Sequence, residues 1–187
     1  LILACMFLLS VVFVIGSNVH LIGIGEENVF LSSDIVIVGN ETFEIRGCEY
    51  TLTGNIIVKD RGTLVIQNAT LIFSSADALK GYNITIENQG NVTAIDSAIK
   101  TENVGGNYIY FMNNAIAEMR NVTIDSKVYV NSYNNSQINI FDCTIKTNFR
   151  IYGNSSVHVT NSHFVGYACP NVYGNSSLWV SDTVLDH

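Results

Sequence analysis

Charge is scarce in this 187-residue chain: 13% of its residues are Asp, Glu, Lys or Arg, and nine basic against sixteen acidic residues leave a formal net charge of −7. So few Lys and Arg residues give no basic face to a nucleic acid, which is therefore excluded as a partner. The negative balance gives an anionic polymer no bulk attraction either. Proline occurs once, at Pro170. Four cysteines are few for a disulfide scaffold, and no CxxC pair or Cys/His cluster with zinc spacing is present. Helix-period segments are missing too. With 48% apolar residues the chain can still build one repetitive core, so a single domain is expected.

What is present is a repeat. The stretch Gly62-Thr-Leu-Val-Ile-Gln-Asn-Ala-Thr-Leu-Ile72 recurs at 90–100, 136–146, 155–165 and 176–186, with an irregular copy over 114–125 and an early one over 34–44. Aligned on the first apolar residue, the anchors are Val36, Leu64, Val92, Ile116, Ile138, Val157 and Leu178. An apolar residue follows two positions later in every copy except the irregular one, where Glu118 stands, and this period of two marks a strand with one buried face. Another apolar residue comes seven positions after most anchors. Between them lies an Asn or Asp, a residue that tolerates left-handed backbone and suits a bend. Each unit therefore reads as strand, bend, strand and looser return.

Periods near 20 to 28 residues built from strands alone point to a solenoid with its coils about 4.8 Å apart. Two ladders follow from that stacking: an aromatic column through Phe111, Tyr133, Tyr152 and Tyr173, and an amide column through Asn113, Asn135, Asn154 and Asn175. Copies such as Arg61-Gly-Thr-Leu-Val-Ile-Gln-Asn-Ala-Thr-Leu71 and Tyr152-Gly-Asn-Ser-Ser-Val-His-Val-Thr-Asn-Ser162 resemble those of the right-handed parallel β-helix proteins. That pectate-lyase-like superfamily includes pectate lyases and many bacterial and archaeal surface proteins. The resemblance covers roughly residues 30 to 187. It implies an all-β, right-handed parallel β-helix of about six to seven coils behind an N-terminal apolar leader, and it specifies fold far more than function.

The leader is the run Leu1 to Ile15, which carries no charge and is short for a spanning helix of roughly 20 residues. Residues 1–17 are read as a signal peptide or retained membrane anchor, 18–29 as a linker or cap, and 30–187 as the β-helix, incomplete at its C-terminus. Contact with a membrane is expected only through an uncleaved leader. Eight Asn-x-Ser/Thr sequons, at Asn40, Asn68, Asn83, Asn91, Asn121, Asn134, Asn154 and Asn175, are candidates for glycosylation in a secreted protein. An Asn-rich β-helix also generates sequons through its bends, so both origins stay open.

Chemistry needs side chains that converge outside the core. Pectate-lyase-like enzymes work with a calcium-holding carboxylate cluster and a basic residue poised as proton acceptor. The four Arg residues here occur singly, and no run of neighbouring Asp appears. The nearest mixed group is Glu118, Arg120 and Asp125 in the irregular copy, a weak catalytic candidate against an ordinary surface ion pair. The bend column Asp96, Asp142 and Asp182 could hold calcium or paired carboxylates, but bend capping explains it and Asn161 interrupts it.

Trp179 and His158 each follow an anchor by one residue, so coil stacking would place the indole over the imidazole as a sugar-stacking patch. His158 and His163 lack carboxylate or Cys support, and neither a metal nor a cofactor is expected. Cys143 and Cys169 occupy different columns, which favours buried thiols over a bridge.

Two functions remain. The first is a non-enzymatic secreted or cell-surface β-helix with a structural, adhesive or glycan-binding role. Its partners would be carbohydrate, other surface proteins or further copies meeting at coil ends. The alternative is a polysaccharide lyase or glycoside hydrolase.

Overall fold

The computed structural model describes residues 11–15, 18–22 and 28–186 apart from 76, 78, 79, 103, 104 and 167, and for 11–15 and 18–22 the backbone alone. Its elements are all strands, and they stack as a parallel β-solenoid of about seven turns. Among the described residues no helix is long and apolar enough to cross a membrane.

Each coil contributes up to three strands. The anchor face stacks Thr42–Arg46, Thr63–Gln67, the first half of Asn91–Thr101, the first half of Ile116–Ile124, Gln137–Phe141, Ser156–Thr160 and Ser177–Ser181, all in parallel. A short face follows the bend, through Glu49–Leu52, Thr70–Phe73, Thr144–Ile145, His163–Phe164 and Val184–Leu185. The third face stacks Ile35–Val38, Ile56–Lys59, Asn83–Ile86, Asn107–Phe111, Val128–Ser132, Phe149–Ile151 and Pro170–Val172. It is called the tyrosine face below. Return loops of unequal length join the short face to the tyrosine face, and they account for the uneven period.

Strand pairing corrects two anchors. Leu64 pairs with Phe43 on one side and Val92 on the other, and Val92 pairs with Ala117, which pairs with Ile138. Val36 belongs to the tyrosine face opposite Ile57 and is 51% exposed, while Ile116 lies one residue outside the inward column and is 45% exposed. The inward column is thus 43, 64, 92, 117, 138, 157 and 178. With Ala117 in place the irregular copy becomes regular, because Met119 takes the second inward position, Glu118 points outward and Ile124 falls seven after the anchor.

The bend has one geometry in the seven coils whose bends are described. Four residues after each anchor stand Gly47, Asn68, Asp96, Asn121, Asp142, Asn161 and Asp182, all with φ between 49° and 85°. Only Gly adopts this region freely, and Asn and Asp tolerate it better than other side chains. One left-handed residue lets two successive side chains face outward, so the inward pattern resumes at the fifth and seventh positions. Side chains at the fifth position clip neighbouring coils together. Ser97 Oγ accepts the Ala69 N–H at 3.2 Å and donates to the Ile95 carbonyl at 2.6 Å, and Ser162 and Thr183 repeat the pattern.

The corner between tyrosine and anchor faces is a second left-handed device. Its first position holds Gly39, Asp60, Asn88, Asn113, Asn134, Gly153 or Gly174, all with positive φ. In four coils the next residue, Arg61, Gln89, Asn114 or Asn135, is left-handed too. Two consecutive left-handed residues closed by a bond such as Gly62 N–H to Lys59 O at 2.9 Å make a type I′ turn. The residue closing the turn faces inward against the coil before it. A Cβ on Gly90 would lie 2.6 Å from the Val58 carbonyl oxygen, and later coils place Ser136 and Ser155 there, fully buried and hydroxyl-bonded to each other at 3.1 Å.

Large side chains fill the interior, among them Tyr50, Phe73, Phe111, Phe149 and Phe164, each buried. Burial of each such side chain contributes about 1.5–3 kcal/mol. In the last described coil the inward residues Val180 and Leu185 are 45% and 47% exposed. At the other end Val11–Ile15 pairs antiparallel with Asn18–Ile22, which pairs in parallel with Thr42–Arg46. Part of the stretch read as leader and linker is therefore strand, and the rest of the leader lies outside the described residues.

Candidate functional site

Two outer faces carry the chemistry. On the anchor face, the column one residue after the anchors runs through Thr93, Glu118, Asn139, His158 and Trp179, in strand register. The His158 and Trp179 rings stack with centroids 4.3 Å apart and planes 23° from parallel, and Trp179 is 51% exposed. Beside them Ser181 Oγ donates to Thr160 Oγ1 at 3.2 Å, giving the aromatic surface a hydroxyl border. The expected stacking of these two residues is present.

Glu118 and Arg120 meet on the same face, with Arg120 Nε 2.6 Å from Glu118 Oε1 and its guanidinium 4.3 Å over the Phe141 ring. Asp125 does not join them. The bend at Asn121 intervenes, and Asp125 follows the end of the strand at Ile124, accepting the Ser126 N–H at 2.9 Å. The three-residue candidate is thus a solvent-exposed ion pair, of a kind worth about 0–1 kcal/mol, plus an unrelated loop cap.

The bend column is fuller than the sequence alignment shows. With Asn121 restored to it, the order is Asn68, Asp96, Asn121, Asp142, Asn161, Asp182, a strict alternation of amide and carboxylate. Asn121 Nδ2 donates to Asp96 Oδ1 at 2.8 Å, and Asn161 Nδ2 to Asp142 Oδ1. Each carboxylate is separated from the next by an amide that donates to it, which avoids stacked like charges. Among the described residues no three His, Cys, Asp or Glu side chains gather closely enough to hold a metal ion. Contrary to the sequence reading, His163 does have a carboxylate partner: its Nε2 lies 2.5 Å from Asp186 Oδ2 on the outside of the short face.

The ladders also shift by one place in the irregular coil. Tyr133, Tyr152 and Tyr173 stack at 4.9 and 4.7 Å with planes 4° and 10° from parallel. Phe111 is not part of that stack: it pairs with Ile86 and Ser132 in an inward column and is buried, leaving Met112 as the outward residue. In the amide column Asn114, rather than Asn113, precedes Asn135, Asn154 and Asn175. Asn113 instead sits beside Asn134, whose Nδ2 donates to its Oδ1 at 3.2 Å.

Of the sequon residues, Asn40, Asn68, Asn121, Asn134, Asn154 and Asn175 are exposed, while Asn83 and Asn91 are half-buried. Asn121 and Asn134 already donate through Nδ2 within the ladders. Cys48, Cys143 and Cys169 are free thiols. Cys143 is buried, and burial pushes its pKa up, opposed by the Val122 N–H that donates to its sulfur.

Sequence reasoning missed a cluster on the tyrosine face. Tyr108 stacks on Tyr110 with centroids 5.3 Å apart, and meets Tyr129 of the next coil at 5.3 Å with planes tilted by 33°. Burial raises the Tyr110 and Tyr133 hydroxyl pKa values, and neighbouring tyrosines add to the shift. The available signal was Asn107-Tyr-Ile-Tyr110 followed by Lys127-Val-Tyr129, where aromatics take the outward positions of a period-two strand. No family model matches the chain, and neither a curated protein nor a solved structure does.

Proposed function

We propose that this chain is a non-enzymatic secreted or cell-surface β-helix whose outer ladders serve a structural, adhesive or glycan-binding role. The observation that carries the reading is the His158–Trp179 stack: His158 covers one face of the indole and fixes it, Trp179 stays 51% exposed, and the Thr160–Ser181 hydroxyl pair lies on the neighbouring residues of the same strands. Sugar rings pack their apolar faces on such surfaces while their hydroxyls meet the polar rim. A stacked sheet fixes the platform without the entropy cost of ordering a loop. Export is supported by the uncharged leader sequence and by the exposure of six of the eight sequon residues. Glu118, Arg120 and Asp125 give the alternative of a polysaccharide lyase or hydrolase no support, because they do not converge. Self-association at a coil end would run through the apolar side chains around Val180 and Leu185.

Two measurements test this. The first is intact mass and N-terminal sequence of the protein from its native host, where a mature start near Ser17 with added hexose mass is expected. An uncleaved chain without added mass would overturn the secreted, glycosylated form of the proposal. The second is binding to an array of neutral and acidic oligosaccharides. Trp179→Ala should weaken binding to at least one of them tenfold or more, and an unchanged profile would overturn the glycan role of the His158–Trp179 surface.

A further inference from the structure

The tyrosine face holds an open cleft of about 390 Å³ lined by Gly106, Tyr108, Tyr129, Asn131, Asn148 and Arg150. Its volume falls within the about 300–1,000 Å³ usual for small-molecule sites. Tyr108 and Tyr129 form one wall, tilted against each other rather than closed into a flat stack. A Cβ on Gly106 would come within 2.8 Å of Tyr129 Cε2, so the absence of a side chain there lets the Tyr129 ring lie where it does. The other wall comes from the strands of the next two coils, where Asn131 pairs with Arg150 in parallel register.

The polar groups of this cleft are not used by the fold. Asn131 is 5% exposed, yet its carboxamide has no hydrogen-bond partner among the described residues. The Asn148 carboxamide likewise has none, and no described carboxylate lies within ion-pair distance of Arg150. These carboxamide atoms are open to the cleft and available to a ligand, and a ligand unable to bond to them would leave them unpaired once it covered them. Asn offers both donor and acceptor, and guanidinium offers several donors in a plane. Vicinal hydroxyls on a ring need that mixture, and a tilted aromatic wall suits the apolar face of the ring.

We infer that the cleft between Tyr108, Tyr129, Asn131 and Arg150 is a binding subsite for an uncharged pyranose unit of a surface glycan. The unit packs on Tyr129 while its hydroxyls bond to Asn131, Asn148 and Arg150. A neutral ring is favoured over an acidic one because two of the three polar groups are neutral amides and the chain carries a net charge of −7, which disfavours approach of a polyanion. This rests on the reading of the chain as a glycan-facing surface protein but places the contact on a different face from Trp179.

Isothermal titration with mannohexaose, cellohexaose and β-1,4-galactohexaose, and with polygalacturonate as the acidic probe, tests it. At least one neutral hexaose should bind, and Tyr129→Ala and Asn131→Ala should each weaken it tenfold or more with urea midpoints close to that of the parent. Tyr129→Phe should retain most of the affinity, because it keeps the ring. Gln137→Ala, an exposed position on the anchor face, should leave this binding unchanged. Binding of polygalacturonate alone, or of none of the probes, would overturn the inference. So would neutral binding that survives both cleft variants; if Trp179→Ala then abolishes it, the proposed function stands and this cleft falls.

Discussion

Ser162 holds the backbone of Cys143 across the gap between two coils: its Oγ accepts the Cys143 N–H at 3.1 Å and donates to its own coil's Thr160 carbonyl at 2.9 Å. The bend interrupts the ladder of backbone bonds, and a hydroxyl at the fifth position restores it. Replacing Ser162 by Ala strands a buried N–H. Ser162→Ala should therefore lower stability by about 1–3 kcal/mol, the cost of an unsatisfied buried donor. Urea unfolding measures it. Ser162→Cys should lose less, since Cys143 fills the same column one coil earlier and its thiol accepts the Val122 N–H at 3.4 Å.

Inward and outward positions alternate with period two, which makes substitutions three residues apart differ sharply. Ile140 is 1% exposed and Gln137 is exposed on the same strand. Ile140→Asp should unfold the coil stack, because an unpaired charge in the core together with a lost Ile side chain exceeds about 4–5 kcal/mol. Gln137→Asp should stay within about 0.5 kcal/mol of the parent. Circular dichroism during thermal unfolding separates the two outcomes.

The first position of the type I′ corner tests the left-handed backbone. Asn113 has φ of 52° and accepts the Asn134 side-chain bond. Asn113→Val should destabilise by about 1–2 kcal/mol through left-handed strain alone, whereas Asn113→Gly, which adopts that φ freely, should cost less. Equal losses for both variants would mean the amide contact, rather than the backbone, dominates.

Burial holds the Cys143 thiol neutral, with its pKa above the ordinary 9.0. In the unfolded chain the thiol ionises first, so the unfolded state binds fewer protons and stability falls as pH rises past 9.0 towards the folded value. Below 9.0 the term is fully present. Cys143→Ala should flatten that part of the stability–pH curve. With a thiol-reactive chromogen at pH 8, exposed Cys169 should react in the native state, while Cys143 should react only after unfolding.

Much of the site was hidden by small shifts in register. Choosing Ile116 as the anchor of its coil follows hydrophobicity, because Ile outweighs Ala. Its true equivalent Ala117 is identified only by its partners Val92 and Ile138. That single residue moved Phe111 into the aromatic ladder, put Asn113 in place of Asn114 and hid Asn121 from the bend column. The early copy failed for a related reason: Val36 and Val38 alternate like an anchor strand, but so does every strand of the tyrosine face.

By itself the sequence determined the class of fold, because period-two apolar spacing, a recurring Asn or Asp and a unit near 20 residues admit little besides stacked β-coils. It also determined the Tyr133–Tyr152–Tyr173 and His158–Trp179 stacks, since residues at equal offsets in successive regular coils must meet. Only the tertiary structure decided which face each strand joins and which side chains converge across a bend. A local pattern of alternation is the same on all three faces, and one left-handed residue, as at Asn121, turns the residues after it onto another face. Glu118 and Asp125 are separated by that turn, while Tyr129, Asn131 and Arg150 are brought into one cleft by pairing between coils.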